Sequence, residues 1–151
     1  MLERLFLLAL LSLLSLAAVG LWRWRTQRRA VALSRLPAPD CLRDLDLRPV
    51  PAVIYFTTPT CSQCRLQQTP ILQRLSAEWG DDVHLCKVDA VAYEELTRYF
   101  GILTVPSTVV LDATLRTVAI NHGLATAEQL RAQVMTQMGG TPMLVGAGSA
   151  A

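Results

Sequence analysis

Apolar and polar residues alternate along the middle of the chain in blocks that predict βαβ units. The run Val53 to Thr57 predicts a buried strand, and Val83 to Val88 predicts a second strand, long and apolar enough to be central in a sheet. Between them, Cys64 to Trp79 has the apolar spacing of a helix, which we expect Pro70 to kink. The pattern indicates an α/β domain.

The pattern continues with shorter elements toward the C-terminus. Tyr93 to Phe100 predicts a short helix ended by Gly101, and the runs 107–111 and 117–120 predict two strands whose short connection suits an antiparallel hairpin. Residues 126–129 fit a capping box that begins a last helix. The apolar face of that helix is predicted to comprise Leu130, Val134 and Met138.

The N-terminal stretch from Leu5 to Trp22 is uncharged over eighteen residues and rich in Leu. As a helix it would extend about 27 Å, close to the thickness of a bilayer core. Arginines follow it at positions 23, 25, 28 and 29. This charge pattern favours an uncleaved, single-pass anchor in the cell membrane, with the following domain in the cytoplasm. The alternative is a signal peptide cleaved near Leu16-Ala17-Ala18, which would place the domain outside the cytoplasm.

Charge and composition divide the chain into four parts. Residues 1–29 carry a net charge of +4, although the whole chain carries only +2, so the rest is slightly acidic. Such a body lacks the clustered basic face that nucleic acid binding needs, and we expect no nucleic acid partner. We predict a membrane anchor over 1–29, a proline-broken linker over 30–51 with at most a short turn near 40–47, a folded domain over 52–138 and a disordered tail over 139–151.

The candidate chemistry is the pair Cys61 and Cys64, which lies where the first strand gives way to a helix. A helix N-terminus favours negative charge, so Cys61 is predisposed to form the reactive thiolate, and Cys64 lies one turn away. An inert disulfide and a two-thiolate metal site completed by other ligands remain alternatives, although no second Cys-x-x-Cys motif is present. No metal site or cofactor is predicted.

Other residues that can carry chemistry fit structural roles better. Cys86 and His84 belong to the second strand, where a small core thiol and a hydrogen-bonded structural histidine are expected. Cys41 lies in the predicted linker, where an isolated, partly buried thiol is the simpler interpretation and a regulatory partner of Cys61 the alternative. His122, directly before Gly123, is either a solvated loop residue or a proton donor and acceptor near the pair.

The order of elements, the Cys-Ser-Gln-Cys motif and the stretch Gly101-Ile-Leu-Thr-Val-Pro-Ser107 together resemble the thioredoxin family over 52–138. The resemblance implies a thioredoxin-like α/β fold: a central mixed sheet flanked by helices, with a shortened N-terminal part, preceded here by the predicted transmembrane helix. It also implies a cis Val105-Pro106 bond whose loop packs against the Cys pair. His122 would belong to a loop at the rim of that site.

The function implied is a membrane-anchored thiol-disulfide oxidoreductase. Cys61 would attack and Cys64 would resolve, and the residues expected to contact substrate are Thr60, Val105, Pro106 and His122. The expected partners are cysteine-containing proteins, an unidentified electron donor or acceptor, and the lipid bilayer. Alternatives are a non-enzymatic binding or redox-sensing module and a two-thiolate metal carrier.

The sequence departs from the family pattern around the Cys pair. Thr60 replaces the usual Trp, Tyr55 occupies the position of a buried Asp, and Leu85 replaces the Lys that accompanies that Asp. Pro70 also lies one residue further from the second Cys than is usual. We therefore expect exchange chemistry without the family's internal proton acceptor.

Overall fold

The structure, a computed structural model, describes residues 2–34 and 39–138. The predicted tail over 139–151 lies outside the described residues. Helix α1 (Leu2–Ser34) comes first and is followed by a short 3₁₀ helix, Asp40–Leu45. That 3₁₀ helix is the short turn predicted within the proline-rich segment.

One four-stranded mixed sheet forms the centre of the domain. Its strands are β1 (Ala52–Thr57), β2 (His84–Asp89), β3 (Ser107–Leu111) and β4 (Thr117–His122). They lie in the order β2-β1-β3-β4. β1 pairs parallel with β2 and antiparallel with β3, and β3 and β4 form the predicted antiparallel hairpin. The mixed α/β sheet is confirmed.

β1 is buried along its whole length and divides the core in two. Ile54 and Phe56 pack into one cluster together with Phe100, the last residue of the helix that follows β2. Val53 and Tyr55 point to the other face, into a second cluster. Successive side chains of a strand alternate between faces, so a strand that is apolar at every position needs cover on both sides. β1 has that cover, which explains its unbroken apolar sequence.

β2 does not hold the central position that its sequence predicts. It lies at the edge of the sheet and, among its six residues, only Val88 is fully buried. Its partner in the described part of the chain is β1, because no strand before Ala52 pairs along its outer side there. Cys86 is accordingly half-buried against the first core cluster instead of enclosed on both faces.

Three helices cover the sheet: α2 (Thr69–Trp79), α3 (Glu94–Phe100) and α4 (Ala127–Met135). α3 ends at Gly101 in the left-handed conformation, as predicted, with φ 65°. The capping box of α4 forms only in part. Thr126 Oγ1 accepts from the Gln129 N–H, but the Gln129 side chain donates to Asn121.

The predicted apolar face of α4 is correct for two of its three residues. Leu130 and Val134 are completely buried, whereas Met138 is 48% exposed and lies beyond the end of the helix. Helix α4 ends at Met135, so the predicted apolar face does not extend to Met138. The core role of Met138 is therefore a wrong prediction.

The segment before β1, predicted to be anchor and linker, contributes to the core. α1 packs against β4, and Leu33 and Leu42 belong to the first core cluster. The predicted transmembrane helix is not confirmed: in residues 2–34 and 39–138, no helix combines the length and apolar character that crossing a bilayer requires.

Candidate active site

The two cysteines of the Cys-x-x-Cys motif form a disulfide directly after β1. The S–S distance is 2.06 Å and the Cα atoms lie 5.2 Å apart. The two sulfurs are not equivalent, because Cys61 is partly exposed whereas Cys64 is only 1% exposed. A partner molecule can therefore reach Cys61 and is excluded from Cys64.

The start of the helix directs a backbone N–H group toward the partly exposed sulfur of Cys61. The helical run begins at Ser62, and the Cys64 N–H donates to Cys61 Sγ at 3.1 Å. The first N–H groups of a helix have no partner within the helix, so one of them is available here to a sulfur that carries negative charge. This arrangement favours the thiolate of the reduced protein at Cys61.

A π-helical turn, Cys64–Gln68, explains the shifted proline. In this turn the Thr69 N–H donates to the Cys64 carbonyl, five residues back, so the turn holds one residue more than an α-helical turn. Pro70 then lies in the first turn of α2, where its missing N–H costs least. The extra residue between Cys64 and Pro70 is thereby absorbed without interrupting the helical run.

The buried face of β1 next to the pair carries Tyr55, at the position where the resemblance described above leads one to expect an acid. Tyr55 is 2% exposed, and its hydroxyl lies 3.4 Å from Thr69 Oγ1. Tyr55 and Cys64 belong to the same core cluster, against which Leu85 also packs. Tyr55 therefore places a hydroxyl group within the core cluster that contains Cys64.

The loop before β3 contains the expected cis peptide bond between Val105 and Pro106. Pro106 is buried, and Val105 packs against the same core cluster as Cys61. The loop is held by Ser107, whose hydroxyl donates to the Thr104 carbonyl at 2.7 Å.

The remaining predicted site residues lie on different elements. Thr60 is exposed in the turn that leads into the Cys pair. His122 is the last residue of β4, partly buried, and pairs in the ladder with Ser107, the residue after Pro106. The sheet therefore brings His122 to the strand position next to the proline loop, although the sequence analysis placed the end of this strand at Ile120.

The other cysteines differ from Cys61 in their surroundings. Burial raises the pKa of the Cys86 thiol, and burial together with the nearby Glu95 carboxylate raises the pKa of the Cys41 thiol. Both are free thiols. His84 has the predicted structural role, because its Nδ1 accepts a hydrogen bond from the Arg48 N–H at 3.2 Å. Within the described ranges, no cluster of three or more His, Cys, Asp or Glu is arranged to hold a metal ion.

Sequence analysis missed Gln68, a fully buried residue four positions after Cys64. Its side chain bonds twice to the backbone of Ala125, in the loop before α4. The only sequence signal was the late position of Pro70, which indicated an extra residue without showing which side chain it would bury.

Comparison with known families matches residues 44–136 to the thioredoxin family model. This range covers more than half of the chain and includes the disulfide, the π turn and the proline loop. The chain belongs to the thioredoxin family. The match begins within the 3₁₀ helix, in agreement with a domain core that extends upstream of β1.

Two relatives of this thioredoxin-family chain share a quarter to a third of their aligned residues with it. It is 25% identical over 95 residues to thioredoxin 2 of Plasmodium berghei and 30% identical over 56 residues to thioredoxin of Bacillus subtilis. These alignments cover 63% and 37% of the chain, and they span 59% and 53% of the two relatives. The chain thus matches little more than half the length of either relative.

A solved structure of thioredoxin-2, described as a component of the malaria parasite protein secretion machinery, has a similar fold. The TM-score is 0.53 at 24% identity, and the superposition covers 58% of this chain and 82% of that one. The likeness supports the thioredoxin-like fold.

Proposed function

We propose that this chain is a thiol-disulfide oxidoreductase acting on cysteine-containing proteins. The observation that carries the proposal is the asymmetry of the pair: Cys61 is accessible and receives a backbone N–H, whereas Cys64 is buried one turn away. Exchange needs one sulfur that meets the substrate and a second that meets only the first. Family membership agrees with this chemistry.

The reaction proceeds by two sulfur displacements. The Cys61 thiolate attacks a substrate disulfide, forms a mixed disulfide and releases the other substrate sulfur as a thiolate. Cys64 then loses its proton and attacks Cys61 Sγ, which frees the second substrate sulfur and forms the Cys61–Cys64 disulfide. Two electrons have passed from the pair to the substrate, and the reverse sequence oxidises a dithiol. In a reducing compartment we expect the reaction to proceed toward reduction of the substrate disulfide.

The surroundings of the pair favour a protein substrate over a small charged thiol. Three leucines, on the π turn, the proline loop and the loop after β4, are exposed: Leu66 at 77%, Leu103 at 88% and Leu124 at 39%. Exposed apolar side chains on the segments around a reactive group are typical of surfaces that bind other proteins. Thr60, Val105, Pro106 and His122 are proposed to contact the substrate segment on either side of its cysteine, by strand addition along the proline loop.

Capture of a mixed disulfide tests the function. We expect reduced Cys64→Ser to form a stable one-to-one adduct with a protein disulfide such as insulin, since its Cys61 attacks but no thiol resolves the product. Mass spectrometry should locate the bond at Cys61, and Cys61→Ser should form no adduct. Failure of Cys64→Ser to form an adduct while iodoacetamide still modifies its Cys61 would contradict exchange and leave a binding or redox-sensing module.

We further propose that α1 attaches the domain to a cell membrane, with the domain on the cytoplasmic side. The uncharged run Leu5 to Trp22 supports attachment, and so do the exposed apolar side chains in α1, including Phe6, Leu11 and Leu14. The arginines that follow favour the cytoplasmic orientation.

Fractionation of cells tests the attachment. We expect the full chain in the membrane fraction and the double variant Leu11→Glu/Leu14→Glu in the soluble fraction, because two carboxylates weaken contact with lipid. After a membrane-impermeant reductant has opened the Cys61–Cys64 disulfide, a membrane-impermeant maleimide should label Cys61 in opened cells and not in intact cells. Labelling of intact cells would reverse the proposed orientation.

A further inference from the structure

The π turn buries an amide that the exchange chemistry described above does not use. Gln68 is completely buried, whereas the three residues that separate it from Cys64 are exposed. Its Oε1 accepts from the Ala125 N–H at 2.8 Å, and its Nε2 donates to the Ala125 carbonyl at 3.2 Å. Both polar ends of the side chain therefore bond to a single backbone residue across the fold. A buried amide is costly without partners, so this pairing is strongly specified.

Ala125 lies in the loop that connects β4 to α4. The loop starts at Gly123, whose φ of +83° favours glycine, and continues to Thr126, the N-cap of α4. Ala125 is fully buried in the same core cluster as Cys64. Directly before the loop, His122 pairs with Ser107, which follows Pro106. The Gln68–Ala125 pair thus links the helix of Cys64 to the edge of the proposed substrate groove, which we define as the surface between the Val105–Pro106 loop and the loop after β4, along which a substrate segment would lie.

The extra residue of the π turn accounts for this link. π turns within α-helices occur often at functional sites, and here the turn begins at the resolving cysteine itself. Gln67, the neighbouring residue with the same side chain, is exposed. The buried amide is consequently specific to position 68 and does not reflect a generally polar segment.

We propose that Gln68 is a positioning residue that sets the place of the Gly123–Thr126 loop relative to the Cys61–Cys64 pair. This inference rests on the proposed function, because the loop would form one wall of the groove that receives a substrate segment. Gln68 acts through the loop and is not proposed to contact the substrate itself. Its loss should therefore weaken the use of protein disulfides, which need the groove, and spare small disulfides, which need only Cys61.

The test compares Gln68→Met with the matched control Gln67→Met in single-turnover reactions of the reduced full chain. For insulin, we expect Gln68→Met to raise the half-saturating concentration about tenfold, because Met breaks both hydrogen bonds to Ala125 and leaves the loop less firmly placed, with little change in the maximal rate. For 5,5′-dithiobis(2-nitrobenzoate), a small disulfide, both variants should stay within about twofold of the unsubstituted chain. Equal losses for the two disulfides, or none, would overturn the positioning role.

A second variant, Gln68→Glu, addresses the case in which Gln68→Met does not fold. A protonated carboxyl can both accept from the Ala125 N–H and donate to the Ala125 carbonyl, but a carboxylate cannot donate. Burial raises the pKa of such a group, so the insulin half-saturation should match that of the unsubstituted chain at low pH and worsen as pH rises. Gln67→Glu should show the profile of the unsubstituted chain. A Gln68→Glu profile that matches Gln67→Glu would overturn the inference, whereas inactivity of the unsubstituted chain toward both disulfides would overturn the proposed function instead.

Discussion

Cys61→Ser is expected to lower the rate of disulfide exchange by at least about a thousandfold, because a hydroxyl does not replace a thiolate as nucleophile near neutral pH. The measurement is the initial rate of 5,5′-dithiobis(2-nitrobenzoate) reduction by the reduced protein. The matched control is Cys86→Ser, which removes a half-buried thiol and should keep the rate within about twofold.

The pH dependence of alkylation at Cys41 and Cys86 tests whether either of these thiols could replace Cys61 as the nucleophile. In the double variant Cys61→Ser/Cys64→Ser, only Cys41 and Cys86 can react, and the pKa of each thiol is raised, in both cases chiefly by burial. A raised pKa keeps a thiol protonated at neutral pH, so alkylation should be slow at pH 7 and accelerate as pH rises. Rapid reaction of this double variant at pH 7 would show that a second thiol takes part in the chemistry.

Leu42→Ala is expected to lower the free energy of unfolding by about 2–5 kcal/mol, the usual cost of truncating a fully buried leucine. Leu42 is 1% exposed within the 3₁₀ helix and packs with Phe56 and Phe100 in the first core cluster. Urea denaturation followed by tryptophan fluorescence or circular dichroism measures the change. The size of the effect depends on how far the surrounding side chains close the cavity.

Leu103→Ala is the control for this truncation, because the same side chain is 88% exposed there. Its effect should stay within about 0.5 kcal/mol. Similar midpoints for the two variants would mean that the segment before β1 adds nothing to the stability of the domain, and the folded unit would then begin near Ala52.

The strands and helices of the domain could be predicted from local patterns because most of them satisfy local rules. β3 has the predicted bounds, and Gly101 ends α3 in the left-handed conformation that glycine adopts most readily. The position of β2 was harder to predict. An apolar run shows that a strand is partly buried, but its place in the sheet depends on which other strands are present to pair with it.

The N-terminal contribution to the core shows a second limit. Proline-rich sequence correctly indicated only a short turn near residues 40–47. It did not show that Leu42 would be enclosed, because burial of a single leucine depends on distant residues such as Phe56 and Phe100. Tertiary contacts of this kind leave no periodic signal in a short segment.

The site divides in a similar way. The spacing of Cys61 and Cys64 and the proline loop could be recognised from sequence, since these motifs are compact and local. The role of Gln68 could not, because its partner Ala125 is 57 residues away and a π turn has no distinct sequence pattern. The offset of Pro70 was the one trace that this arrangement left in the sequence.

The packing of α1 against β4 affects which disulfides the domain can meet. The helix has 33 residues, a length of roughly 50 Å, and its C-terminal end reaches the core through Leu33. If its N-terminal half is held at a bilayer, the domain cannot reorient as freely as it would at the end of a flexible linker. The distance of Cys61 from the lipid surface would then vary only within a narrow range. Substrate choice would follow from the height of the target cysteines as well as from their neighbouring residues.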